Sequence, residues 1–243
     1  MKSIFERIAE RQEQYAHRPI FLHMRDDRLP PRERLAFVPY LSYFVLTFAD
    51  LYRFVLPEIP ARDRYQELVN IHLSEEDTHW KWFLTDLAQL ELDAEVHFTD
   101  VLRFIWSDAT LQSRLLAYQM CRMGFGVDSL QKLVLVQAIE ATGRVALEAA
   151  VTAGAQIVNG QRKLIYFGKH HLDTETGHTL ETDELRRQLE EVALAPAERA
   201  RLLDVVDEVF THFTTFADEA FRFTTAQTVN RRLHLPVAGA LPG

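Results

Sequence analysis

The chain has 243 residues, 47% hydrophobic and 26% charged, with only nine glycines and nine prolines. That composition supplies a core and makes no case for disorder, and the length suits one large domain. A net charge of −8 without a Lys/Arg cluster lacks a nucleic-acid footprint, and the single cysteine, Cys121, excludes an internal disulfide or a Cys-rich zinc site.

In chain order, the pattern predicts a first helix over 3–16, charged and amphipathic, with no apolar centre of the signal-peptide kind. No run approaches 18 apolar residues, so the chain reads as cytoplasmic and soluble, with no membrane partner. An irregular stretch follows from His17 to Pro31, with a turn-like Arg25-Asp26-Asp27. A second helix is expected over about 32–56, bounded by Pro30-Pro31 and Pro57, a third over about 61–90, and a short one near 98–106. The next starts near Ala109 and is interrupted at Gly124-Phe125-Gly126. Asp128 caps a long helix to about 157, which Asn159-Gly160 closes. A further helix is expected over about 163–190, and a last one from Pro196 to about 232. Residues 1–235 thus read as a single all-α domain, with 236–243 as a flexible tail.

The informative residues are ionisable groups inside apolar stripes, where positions i, i+3, i+4 and i+7 share a face. Leu164, Phe167, His171, Glu175, His178, Thr182, Leu185 and Leu189 form one such row, aliphatic or aromatic at both ends and His-Glu-His in the middle. Burying those groups uncompensated costs several kcal/mol each unless they pair or ligate a metal. On the long helix, Glu140 sits among Leu130, Leu133, Val136, Leu147 and Val151; the simplest alternative is an ion pair with Arg144. On the third helix, Val69, Leu73, Glu76, Trp80, Phe83 and Leu87 share a side flanked by His72 and His79. Glu76 is preferred over Glu75, which faces the polar side.

Glu-x2-His therefore occurs twice on core-facing stripes, at Glu76–His79 and Glu175–His178, with Glu140 on a helix between them. Ferritin-like di-iron proteins combine two such pairs with one carboxylate from each of two further helices. Asp50 is the only acid inside the second helix and a candidate for the fourth carboxylate, or for a hydrogen bond to a tyrosine. Carboxylate and imidazole without thiolate suit iron or manganese, and zinc is compatible.

With these motifs the sequence resembles the haem-oxygenase-like di-iron oxidases and oxygenases, a superfamily that also holds the thiaminase-II-like proteins. Similar members include the chlamydial-type p-aminobenzoate synthase, a fatty-acid decarboxylase that makes terminal alkenes, and N-oxygenases. The resemblance spans about residues 15–225. The family's His-x3-Asp-x2-His is matched by His171, Glu175 and His178, with Glu in place of Asp. Its middle-helix glutamate is matched by Glu140 and its first-helix histidine by His79, with Glu76 nearby. Where the p-aminobenzoate synthase type has a glutamate seven residues earlier, this chain has His72.

The resemblance implies a bundle of seven or more helices and two Fe(II) ions, with Mn as an alternative. Dioxygen and a small organic molecule would be substrates, electrons would come from an external donor or the substrate, and the family's habit implies a homodimer. His79, Glu140, His171 and His178 would be metal ligands, with Glu76 and Glu175 as carboxylate ligands or bridges and His72 and Asp50 as further candidates. No Gly-rich phosphate loop offers a nucleotide site. Two other readings stand beside this one. The first is a metal-free, thiaminase-II-like enzyme using Cys121. The second is a non-enzymatic binding protein whose polar cluster is a hydrogen-bonded network.

Overall fold

The computed structural model describes residues 1–229 except 77, 94, 160, 161, 176, 177, 179 and 181. The expected tail, 236–243, and the end of the last expected helix fall outside the described residues. Helices dominate: α1 (Lys2–Ala16), α2 (Pro19–Arg25), α3 (Pro31–Arg34), α4 (Ser42–Asp50), α5 (Arg64–Glu75), α6 (His79–Gln89), α7 (Phe98–Ile105), α8 (Leu111–Gly124), α9 (Ser129–Gln156), α10 (Lys169–Glu175), α11 (Asp183–Glu190) and α12 (Pro196–Val229). One two-stranded hairpin, β1 (Val158–Asn159) with β2 (Arg162–Lys163), is antiparallel. The all-α class expected from the sequence holds.

Helix α9 is the axis of the domain. The carboxylate of Asp128 accepts the N–H of Gln131 and the Gln131 side chain returns to the Asp128 N–H, a complete capping box. Its buried residues cover nearly every direction around the helix, from Leu133 and Val136 to Ala149 and Ala153. Such all-round burial requires neighbours on every side, and α1, α2, α3, α5, α10 and α12 supply them. Arg7 and Arg18 clamp α1 and its exit to α12 through two-pronged ion pairs with Asp207 and Asp218.

Four sequence expectations need correction. The stretch 17–31 contains a helix, α2, because Pro19 takes the first helical position, where its missing N–H costs nothing. The expected helix 32–56 is α3, a 3-10 turn (Val38–Leu41), α4 and a π turn (Leu51–Val55). Taken together, Pro31–Val55 is apolar enough at mean hydropathy 1.4 to match a membrane span in length and composition. In the fold it is interrupted at Leu35–Phe37 and lines an internal cavity. The expected helix 61–90 breaks between α5 and α6. The expected helix 163–190 is β2, a loop, α10 and α11, so His178 lies beyond the end of α10. Both of these breaks fall beside the ionisable cluster, where side chains must converge rather than follow one helical row.

Candidate metal centre

Helix α5 is seated on α9 by its start. Asp63 caps it by accepting the Gln66 N–H, and the Gln66 amide and the Lys132 ammonium both donate to the Leu56 carbonyl. That register buries His72 completely. Glu76 follows as the C-cap of α5 and His79 opens α6, joined by a His79 N–H bond to the Glu76 carbonyl. The bend brings both side chains to one point: His79 Nδ1 is 2.7 Å from Glu76 Oε2.

The opposite wall is built by the loop before α10. The buried carboxylate of Asp86, on α6, accepts the backbone N–H groups of Ile165 and Phe167 at 2.8 and 2.9 Å. Burial pushes the Asp86 acid up, against those N–H bonds. The Tyr166 carbonyl, held between the two, accepts His171 Nδ1–H at 2.9 Å. This orients the ring, with Nε2 facing Glu175 at 2.8 Å. Glu175 also approaches His79 at 3.2 Å and His178 at 3.1 Å, while His178 lies 2.9 Å from Glu76. Glu140 comes in from α9. Its Oε1 accepts Tyr52 O–H at 2.6 Å and His72 Nε2–H at 3.0 Å, leaving Oε2 uncommitted by either bond.

All six principal candidates, Glu76, His79, Glu140, His171, Glu175 and His178, thus meet, with His72 at their edge. Donor atoms fall into overlapping groups within 4.8 Å of one another: His79, His171 and Glu175; Glu76, His79 and His178; His72, Glu76 and Glu140; and His72, Glu75 and His178. Asp50 does not join them. It ends α4 with its side chain exposed, because the π turn that follows rotates Tyr52 inward instead. The sequence alternative for Glu140 was Arg144, yet its close partners are Tyr52 and His72. Tyr52 and Asp86 are functional candidates that sequence reading missed. Tyr52 looked like one core aromatic among many, whereas Asp86, an acid seven residues beyond His79 and three beyond Phe83, did carry a signal.

A cation fits this donor set on one observation. Glu76 Oε1, His79 Nδ1, His178 Nδ1 and His72 Nδ1 are buried and have no hydrogen-bond partner, although the first three lie about hydrogen-bond distance from opposite groups. They sit in carboxylate–imidazole ion pairs that do not meet hydrogen-bond geometry. Buried polar atoms are rarely left so, and a shared ion would satisfy all of them.

The electrostatics agree. Burial pulls the imidazoles down, but the close carboxylates outweigh it, raising His79 to about 9 and His178 to about 10. Burial likewise pushes Glu76 and Glu175 up, and their imidazole neighbours more than reverse it, holding both below the usual carboxylate range. Glu140 goes the other way: burial lifts it, and His72 offsets only part of that. Burial, then the Glu140 charge, keeps Tyr52 protonated far above its ordinary value.

A cavity of about 170 Å³ opens onto Glu76, His79, Glu140, His171 and Glu175. Its remaining walls are mostly apolar, with Phe44 and Phe48 from α4, Ile139 and Leu147 from α9, and Phe213 and Phe216 from α12. Cys121 is absent from this lining; burial and then Asp50 push its thiol up.

Fold and site together define an all-helical domain with a buried carboxylate–imidazole cluster beside an apolar cavity. The architecture is that of a TenA homolog from Pseudomonas syringae pv. tomato str. DC3000. The two superpose with a TM-score of 0.57 at 13% identity, over 90% of this chain and 91% of that one. At that identity the likeness establishes the thiaminase-II-like, haem-oxygenase-like fold and nothing finer. No protein-family model and no curated protein matches the sequence.

Proposed function

We propose that this protein is an iron-dependent oxidase or oxygenase that uses a non-haem di-iron centre and dioxygen to oxidise a small organic molecule. The observation that carries the reading is the convergence of buried carboxylate and imidazole donor atoms of Glu76, His79, Glu140, His171, Glu175 and His178, several of them in ion-pair contact without an aligned hydrogen bond. In this reading Glu76, His79, Glu140, His171, Glu175 and His178, with His72 beside them, would hold the metal. Bound Fe(II) would supply the electrons and open coordination positions that dioxygen chemistry requires. Carboxylate-rich ligation without thiolate suits iron or manganese.

The chain's own residues have definable tasks. Asp86, through the Tyr166 carbonyl, orients the His171 ring with Nε2 aimed inward. Tyr52 and His72 hold protons against one oxygen of Glu140, orienting its carboxylate and offsetting its charge. The aromatic walls exclude water from the reacting volume and accept the substrate body.

Anaerobic Fe(II) titration with elemental analysis tests the proposal. Uptake of up to two ions per chain is expected, with His171→Ala and Glu140→Ala each losing at least one. Equal uptake by those variants and the parent would sink it. Absence of uptake in the parent would favour the metal-free, thiaminase-II-like alternative, although Cys121 lies outside the cavity and its thiol is pushed toward the unreactive, protonated form.

A further inference from the structure

Gly143 lacks a side chain for no reason that the packing of the protein supplies. Elsewhere the described glycines have a local reason: a Cβ on Gly154 would sit 2.0 Å from the Phe167 carbonyl oxygen and one on Gly168 2.0 Å from the Leu164 carbonyl oxygen, Gly126 has φ +70°, and a Cβ on Gly124 would meet the Leu56 side chain at 2.7 Å. A Cβ on Gly143 would meet no heavy atom within 4 Å, and its φ is not positive. Yet it occupies the middle of the 28-residue helix α9, where glycine is less stable than alanine. What lies over it is the internal cavity, of which it is a lining residue. It stands one helical turn from Glu140, on the same side of α9.

We propose that Gly143 sets the depth of a binding pocket for an apolar organic molecule, aliphatic or aromatic, that lies along α9 with one end at the carboxylate–imidazole cluster. The assignment of this molecule as the oxidised substrate rests on the iron reading; its binding does not. The class follows from the walls. Phe44, Phe48, Ile139, Ala146, Leu147 and Phe213 offer no hydrogen bonds from their side chains and, away from the cluster, outnumber polar lining residues such as Thr142 and Arg144, so a sugar or nucleotide would lose more hydration there than the walls replace. An apolar body gains from the same burial.

The test uses the neutral fluorophore 1-aminoanthracene and its displacement by n-alkanols of increasing length, on the parent, Gly143→Ala, Gly143→Leu and Gly143→Phe. The parent is expected to bind the fluorophore. Gly143→Leu and Gly143→Phe should bind at least tenfold more weakly and accept only shorter alkanols, with circular dichroism and a cooperative melt like the parent's as evidence of an intact fold. Gly143→Ala adds one methyl group into open space and keeps the fold even if the larger side chains do not. It should weaken the longest alkanol by about threefold, one methylene's worth of burial. No binding by the parent, or unchanged binding and alkanol cut-off in the variants, would overturn the proposal. A graded loss of fluorophore binding in a protein that takes up no iron would sink the oxidase reading and leave this one standing.

Discussion

Tyr52 and His72 both donate to the same oxygen of Glu140, so this acid is oriented before any ligand reaches it. Removing the phenol in Tyr52→Phe leaves the ring packed against Phe48 but strips one donor from a buried carboxylate. Iron affinity should fall about tenfold, the low end for a lost outer-shell partner, while circular dichroism stays unchanged. A second consequence is pH dependence in protein stripped of metal by chelation. His79 and His178 then titrate near 9 and 10 when folded, against 6.5 when unfolded. The stability they lend is complete below pH 6.5 and is lost as pH rises through 9 to 10. Glu76 and Glu175 sit below their unfolded value of 4.5, so their contribution is present above it and lost as pH falls. The melting temperature of the stripped protein should therefore peak between these limits and decline toward pH 10. Iron binding must displace the imidazole protons, so its affinity should rise with pH across neutrality, which calorimetry in buffers of different ionisation enthalpy reads directly.

At the scale of elements, the centre depends on how closely α9 approaches the loop before α10. Gly154 makes that approach feasible, and Asp86 ties the loop down from α6. Gly154→Ala would drive a methyl into the Phe167 carbonyl oxygen and should destabilise by about 1–3 kcal/mol, as overpacking does, displacing His171 and weakening iron binding with it. Asp86→Ala strands two buried N–H groups, so urea denaturation should show a loss of about 2–3 kcal/mol. These same elements mark where sequence reading succeeded and stopped. The row of apolar residues around Glu140 was legible because burial imposes helical periodicity wherever a helix is continuous; His171 and Glu175 share one short helix, α10, but the rest of their row crosses its two ends. Asp128 and the Gly124–Gly126 break were legible because caps and glycines act locally. The break between α5 and α6 was not, since no proline or glycine separates Glu75 from His79, and the break before α10 carries only Gly168, whose need for a bare backbone comes from the Leu164 carbonyl oxygen beside it; both answer to tertiary demand, the meeting of donor atoms from α5, α6, α9 and α10. Gly143 stood in the predicted α9 row between Glu140 and Leu147, but only the open space above it gives its missing side chain a meaning.

For the whole molecule, α4, α7 and α8 with the turns that follow them present an outer face that is open among the described residues. Phe54, Trp106 and Phe125 are 69%, 65% and 63% exposed, and Leu46, Leu102, Leu115 and Tyr118 are also open. The face is continuous. Tyr43 on α4 touches both Trp106 and Tyr118, and Val55 and Leu56 pack on Gly124 just before Phe125. With large aromatics burying about 150–250 Å² each when covered, these side chains together offer about 700 Å², close to the roughly 800 Å² per partner of a stable interface. Patches of this size on a soluble chain mark association, and a second copy presenting the same face closes a two-fold dimer without leaving a further edge. Sedimentation equilibrium should accordingly find a dimer. Replacing Trp106 and Phe125 by glutamate places four charges in that interface per dimer, and the double variant should sediment as a folded monomer that still takes up iron, since neither residue reaches the cavity. A parent that is monomeric at tens of micromolar, or a double variant still dimeric, would rule this face out as the self-association surface.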